Sequence, residues 1–243
     1  MVTIISIEGN IGSGKSTVVK KLKNLLKHNK KFIFLQEPVD EWSTVVDENG
    51  KTIIEKYYSD QKRYAFSFQM MAFITRIKQI NNAIEDATEN QIIITERCIF
   101  TDREIFAKML YETHKIESIE YSIYLRWFDE FVKNIDIDAF VYLDISPEIC
   151  FERIKNRNRN GEEIPIEYLN SLKEYHEEWI YALPEEKVLV LDGKTNIEES
   201  LKQWLRFVSN NNNSTSMLLY LYRMIFSIFF LTIFVILFIE TLN

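Results

Sequence analysis

Nine residues near the amino terminus, Gly9, Asn10, Ile11, Gly12, Ser13, Gly14, Lys15, Ser16 and Thr17, match the pattern G-x-x-x-x-G-K-[ST] in full. Three of the chain's six glycines fall here. They let backbone N–H groups turn inward around a phosphate with no Cβ in the way. A helix opening near Lys15 adds its positive end. Lys15 is placed to reach β- and γ-phosphates and Ser16 to ligate Mg²⁺. The chemistry is nucleoside triphosphate binding, with ATP the expected donor. The motif alone does not separate a kinase from an ATPase or a GTPase.

Other chemistry-bearing residues stand at the ends of apolar runs. Glu37 follows the run 32–36, and Trp42 lies five residues on. In a parallel sheet ligands bind at the carboxyl ends of strands, so Glu37 shares a crevice with the loop. A carboxylate there can take a proton from an attacking hydroxyl; a plain surface carboxylate is the alternative. Glu96 and Arg97 end the run 91–95. Glu96 suits a metal, directly or through water, and Arg97 a transferred phosphate, although such a pair is often only a surface ion pair. Arg153, Arg157 and Arg159 surround the polar stretch 156–161. Guanidinium forks match phosphate oxygens, and a loop can close as a lid; a solvated charged loop is the plainer reading. Tyr58, Gln69 and Arg76 lie in a long helical pattern, and Gln69 and Arg76, seven apart, share a face. Glutamine offers the donor and acceptor that a base edge needs.

The elements that must position these groups alternate. Strand signals lie at 2–7, 32–36, 91–95, 139–144 and 187–191. Helical spacing covers 16–28, 61–87, stretches through 134, 147–154, 164–182 and 197–208. Short continuous apolar strands separated by helices predict an α/β fold with a parallel sheet covered on both faces.

The 243 residues allow one or two domains. A formal net charge of −7 argues against a broad nucleic-acid-binding face. Two cysteines, Cys98 and Cys150, are too few for a disulfide framework and read as buried thiols in a reducing compartment. Residues 1–209 form the expected catalytic domain, 210–216 a polar linker. The run 217–239 is apolar except for Arg223. As a helix it spans about 34 Å, enough for a bilayer core of about 30 Å. It reads as a membrane-inserting tail that leaves the domain in the cytosol; a buried core helix, or a segment that is never properly expressed, are the alternatives.

Six segments in order carry a resemblance: EPVDEW at 37–42, YSDQKRYAFSFQ at 58–69, TRIK at 75–78, ERCIFTDREIFA at 96–107, RIKNRNRNGEEIPIEYL at 153–169 and LDGKTN at 191–196. With the phosphate loop they resemble the deoxynucleoside kinase family over about residues 3–208. The resemblance implies a P-loop kinase three-layer sandwich with a five-stranded parallel sheet and an arginine-bearing lid, Mg²⁺ with ATP, and a homodimer built from helices beside the sheet. It implies Glu37 as general base, Arg97 as its support and that of the developing charge, and Glu96 near Mg²⁺. Gln69 matches the residue that pairs with the base, Trp42 the pocket wall, and Tyr58 the 3′-hydroxyl partner. Arg153, Arg157 and Arg159 match lid arginines. Counting from Arg159 makes Glu162 a further 3′-hydroxyl partner, with Glu163 one place away. Cys98 stands where the family has serine. Arg76 and Asp102 match the pair of the deoxycytidine and deoxyguanosine kinase branch, which implies a preference for deoxycytidine or purine deoxynucleosides over thymidine. A nucleoside monophosphate kinase of the thymidylate kinase type, or a non-catalytic tethered nucleotide-binding module, are the rival readings.

Overall fold

A computed structural model describes residues 2–159, 161–193, 203, 204, 206 and 207. Five strands, β1 (Thr3–Gly9), β2 (Phe32–Leu35), β3 (Ile92–Glu96), β4 (Ala139–Asp144) and β5 (Val188–Asp192), form one sheet in the order β2-β3-β1-β4-β5. All four pairings are parallel. The helices are α1 (Lys15–Leu25), α2 (Val39–Trp42), α3 (Ile53–Ser59), α4 (Gln61–Asp86), α5 (Ile99–Thr101), α6 (Lys108–Glu112), α7 (Ser118–Phe131), α8 (Pro147–Arg157) and α9 (Ile166–Tyr181). A π-helix, Asp102–Ala107, joins α5 to α6.

Alternation along the strands divides the core into two layers. Ile4, Ile93, Phe140 and Tyr142 face a cluster with Phe73, Ile77 and Ile80 of α4, Tyr124 and Phe128 of α7, and Ile180 of α9. Phe73 is fully buried against the rings of Tyr124 and Phe128, at 5.8 and 5.6 Å between centroids. Truncating such a phenylalanine to alanine costs about 3–5 kcal/mol. The intervening residues Ile5, Ile7, Ile92 and Ile94, all fully buried, point to the other face, where α1 packs against β1 and β3. The parallel α/β architecture expected from the sequence is the one found.

The boundaries differ from expectation where local chemistry decides them. The expected helix 164–182 starts only at Ile166, because Pro165 biases Ile164 away from helical geometry and supplies the N-cap. The expected helix 16–28 ends at Leu25. The helix expected over 147–154 runs on to Arg157, where Asn158 caps it in the left-handed conformation at φ 46°. Arg153 and Arg157 therefore sit one turn apart on α8, and only Arg159 lies in a loop, so the arginines do not all crowd the loop at 156–161 and Arg157 is helical. The expected helix 197–208 falls outside the described residues except for 203, 204, 206 and 207, which are helical. No described helix is long and apolar enough to cross a membrane; the run 217–239 lies outside the described residues. Cys98 and Cys150 are free and buried, and burial raises both thiols, Cys150 to about 11, so neither is a ready nucleophile.

One core group imposes a pH dependence. His176 on α9 is fully buried, and its Nδ1 donates to the Leu172 carbonyl at 2.6 Å. Burial lowers its pKa to about 3 despite that bond. The unfolded chain, with His176 near 6.5, takes up the proton first, so this contribution to stability is present at neutral pH and lost as pH falls from 6.5 towards 3. Denaturant titrations at pH 7.5 and 5 should show the wild type losing about 2 kcal/mol that a His176→Met variant does not lose. Parallel losses in the two proteins would refute this.

Candidate active site

The carboxyl ends of β1, β2 and β3 open into a cleft of about 580 Å³. Its floor is the loop after β1. Gly12 and Gly14 adopt φ 80° and 100°, open to glycine at little cost. At Gly12 a Cβ would lie 2.6 Å from the Cys150 carbonyl oxygen, so α8 can approach only a bare backbone. Asn10 is buried behind the loop and ties it to α9 by donating to the Leu169 carbonyl at 2.8 Å. Ile11, Gly12, Gly14, Lys15, Ser16 and Thr17 line the cleft. Gly9, Asn10 and Ser13 shape the loop from outside that lining.

Lys15 donates to the carbonyls of Gly9 and Asn10 at 2.9 and 2.7 Å. Burial, reinforced by the charge of Arg97, lowers its pKa to about 7. Ser16 Oγ donates to Glu96 Oε1 at 2.5 Å. Hydroxyl and carboxylate thus meet at one point beside the loop. These are hard oxygen donors of the kind Mg²⁺ takes, with phosphate and water completing its shell. Among the described residues no group of three or more His, Cys, Asp and Glu gathers as an all-protein metal site.

Glu37, just beyond β2, is clasped by two arginines. Arg97 Nη1 reaches both carboxylate oxygens at 2.9 and 3.0 Å, and Arg76 Nη2 reaches Oε1 at 3.0 Å. Burial would raise this carboxyl, but Arg97, Arg76 and Lys15 outweigh it and hold it at about 2. Arg97 stands at φ 60°, a left-handed geometry that costs a non-glycine residue of order 1 kcal/mol. Its peptide N–H donates to Ile7 at 3.0 Å and its guanidinium lies 5.0 Å from the Phe106 ring centre. Arg76 also donates to Asp102 Oδ2 at 2.9 Å and the Glu96 carbonyl at 3.0 Å. Burial pushes Asp102 up to about 6 against the pull of Arg76.

Behind Asp102 lies a group that sequence reading missed. Glu8 is fully buried on β1 and accepts from Thr101 Oγ1 at 2.8 Å to each oxygen and from Ser6 Oγ at 2.5 Å. Thr101 immediately precedes Asp102, so this carboxylate pins the start of the π-helix. The wider turn of that helix is of a type found often at functional sites. It brings both Asp102 and Phe106 to the cleft. Phe106 carries no periodic signal that could have singled it out.

The remaining wall is aromatic. Trp42 donates from Nε1 to Thr75 Oγ1 at 2.8 Å and meets Phe68 edge-on at 5.3 Å. Tyr58, expected on the long helix with Gln69 and Arg76, lies instead on α3, where Asp60 breaks the helix before α4; it packs on Tyr57 at 5.0 Å, and Tyr57 is hydrogen-bonded to Tyr168 across to α9 at 2.7 Å. Gln69 is 2% exposed, lines the cleft, and its Oε1 has no protein partner. A buried acceptor left open towards a cleft is costly unless a ligand donates to it.

The expected lid arginines also line the cleft. Arg153 donates to the Ser13 carbonyl at 2.9 Å. Arg157 Nη2 lies 2.6 Å from both oxygens of Glu162, and Arg159 pairs with the same carboxylate at 3.8 Å. Glu162 lines the cleft, whereas Glu163 is exposed outside it. Every expected side chain from Glu37 to Glu162 therefore borders one cavity.

Phosphate entering the loop favours charged Lys15. Above pH 7 the free protein must take up a proton there, so affinity for a non-hydrolysable triphosphate should fall as pH rises beyond about 7. Calorimetry at pH 8.5 in buffers of different ionisation enthalpy should show net proton uptake. Its absence would mean that Lys15 is already charged.

Residues 5–214 match the model of the deoxynucleoside kinase family. A probable deoxycytidine kinase of fowlpox virus is 36% identical over 229 residues, covering 91% of this chain and 87% of the relative. Human deoxycytidine kinase is 36% identical over 197 residues, 72% of this chain and 74% of its own. The mitochondrial deoxyguanosine kinase of Xenopus laevis is 32% identical over 194 residues, 72% of each chain. Six ordered segments, the parallel sheet and these matches agree: the chain belongs to the deoxynucleoside kinase family.

Proposed function

We propose that this kinase transfers the γ-phosphoryl of Mg·ATP to the 5′-hydroxyl of deoxycytidine or a purine deoxynucleoside in preference to thymidine. The observation that carries the reading is the position of Glu37. It lies in the same cleft as Lys15 and the Ser16–Glu96 pair, oriented by two arginines. The nucleoside is held in line, with Gln69 meeting the base edge, Trp42 and Phe106 walling it, and Tyr58 and Glu162 meeting the 3′-hydroxyl. Burial of Glu162 in the lining favours it over Glu163 for that role. Arg76 and Asp102 border the base end: the ionised carboxylate accepts from an exocyclic amino group, and the guanidinium occupies space that a thymine methyl needs.

Glu37 takes the 5′ proton as the oxygen attacks. At about 2 its carboxyl is ionised across the working range but weakly basic. It becomes a better base as Arg97 turns to the charge developing on the phosphoryl. Ser16 and Glu96 would hold Mg²⁺, which would supply positive charge against the donor phosphates. Lys15, Arg153, Arg157 and Arg159 stabilise the transferred group. Glu37→Gln keeps the shape and removes the base. Its kcat should fall roughly 10²–10⁴-fold with each deoxynucleoside tested, whereas near-normal turnover would sink the assignment. kcat/KM across the four deoxynucleosides tests the base preference, and a thymidine preference would overturn it.

The enzyme is proposed to act as a homodimer. Ile119, Ile123, Trp127 and Phe131 recur every four residues along α7 and are 41–66% exposed, with Trp127 and Phe131 stacked at 5.3 Å. Such a stripe on an outer helix fits a second copy of itself. Trp127→Glu should give a monomer by light scattering; an unchanged mass would place the interface elsewhere. The apolar run 217–239 is proposed to insert in a membrane, leaving the kinase domain on the cytosolic side.

A further inference from the structure

From Gly9 to Gln36 the chain carries seven lysines and no Asp or Glu, although the whole protein has a formal charge of −7. Lys15 belongs to the phosphate loop. The others lie on α1 and the turn that leads into β2. Lys20, Lys21, Lys23, Lys27 and Lys30 are exposed, and none has an ion-pair partner among the described residues. Several lysines on other faces are paired, among them Lys56 with Asp47, Lys108 with Glu178, Lys133 with Glu130 and Lys173 with Asp144. Lys20 and Lys23 are spaced to share one face of α1, and Lys27 follows in the turn just after its last residue, Leu25. Leu25, 38% exposed, adds an apolar side chain on the same helix.

The placement is specific. α1 starts at the phosphate loop and runs back along the sheet, so its far end and Lys30 lie where β2 begins. The cleft is at the opposite, carboxyl edge. The far end of this positive face is therefore remote from the proposed reaction, while Lys20 stands about 8 Å along α1 from Lys15. A long nucleic acid would also meet the net negative remainder of the surface, whereas a flat bilayer needs to touch only one face. Clustered lysines are attracted to anionic lipid headgroups, and an exposed leucine among them can enter the interface.

We propose that the lysine face of α1 docks on an anionic lipid surface and turns the cleft away from the membrane. The inference rests on the reading of residues 217–239 as a membrane-inserting tail, and its test separates the two.

The full chain carries Asn24→Cys, on the exposed part of α1, labelled with a polarity-sensitive dye; Cys98 and Cys150 are buried. It is mixed with vesicles of phosphatidylcholine alone or with about a third phosphatidylserine. Flotation reads the tail, and the dye reads α1. The expected result is flotation with both vesicles and a dye shift only with the anionic ones. Replacing Lys20, Lys23 and Lys27 by glutamine should cut that shift about tenfold or more with turnover unchanged. Flotation with both and no dye shift overturns the docking face and leaves the tail reading standing. Flotation and a shift with anionic vesicles alone support the face and overturn the tail. No flotation with either overturns both. A larger shift with a DNA duplex than with anionic vesicles at the same salt would overturn lipid as the partner.

Discussion

The site depends on one buried guanidinium. Arg76 projects from the middle of α4 and donates to three acceptors on three different segments: Glu37 after β2, the Glu96 carbonyl at the end of β3, and Asp102 at the start of the π-helix. It is 3% exposed, so each acceptor replaces water that a charged group cannot do without. Removing one partner from such a buried set typically costs 3–5 kcal/mol, because the other charge is left stranded. The strand ends are therefore fixed relative to α4 by electrostatics as well as by apolar packing. Arg97 completes the set from the other side of Glu37, and its left-handed backbone is held in place by the Ile7 carbonyl and by Glu37 itself.

The same constraint explains why the cleft tolerates so many charges. Glu37 and Asp102 share Arg76, Glu37 is also held by Arg97, and Glu96 is held by Ser16. Lys15 lies among them without a carboxylate partner and is satisfied by loop carbonyls. Its lowered pKa is the cost of that position, and a triphosphate is the ligand class that reverses it. Gln69 is complementary: neutral, buried and with an open acceptor. Lys15 without a carboxylate partner and Gln69 without a donor are two unmet needs of the cleft, which matches a bisubstrate site for phosphate and base.

Much of this was legible in the chain. The phosphate loop, the strand-end carboxylates and the five apolar strands are local patterns, and each was found within a residue or two of its expected place. Glu37, Arg97, Arg76 and Asp102 were readable as members of a site from family segments, but not as one ion cluster. Their contacts join residues up to 60 apart in sequence, and nothing in local spacing specifies that. Glu8 and Phe106 escaped for other reasons. Glu8 looks like the polar end of a strand, and only its burial beside Thr101 shows what it holds. Phe106 reaches the cleft through a π-helical turn, which no 3.6-residue periodicity anticipates. The short α3 is fixed by the Thr52–Glu55 capping box, a local signal in the sequence, whereas α2 has no side-chain cap and follows Pro38.

In the proposed reaction Glu162 would connect the two substrates. Its carboxylate is taken by Arg157 through both oxygens and approached by Arg159, yet it also borders the nucleoside end of the cleft. In the reaction proposed above, a sugar hydroxyl donating to Glu162 would share the carboxylate with Arg157, which reaches both oxygens from the single nitrogen Nη2. The carboxylate has lone pairs for both donors, but a hydroxyl on one oxygen would draw that oxygen away from Nη2 and loosen Arg157. A loosened Arg157 is one turn from Arg153, on the face of α8 that looks over the phosphate loop. Filling the acceptor pocket thus frees positive charge for the donor phosphates, and an empty pocket keeps that charge neutralised. The coupling needs no domain movement, because the exchange happens within the reach of one side chain.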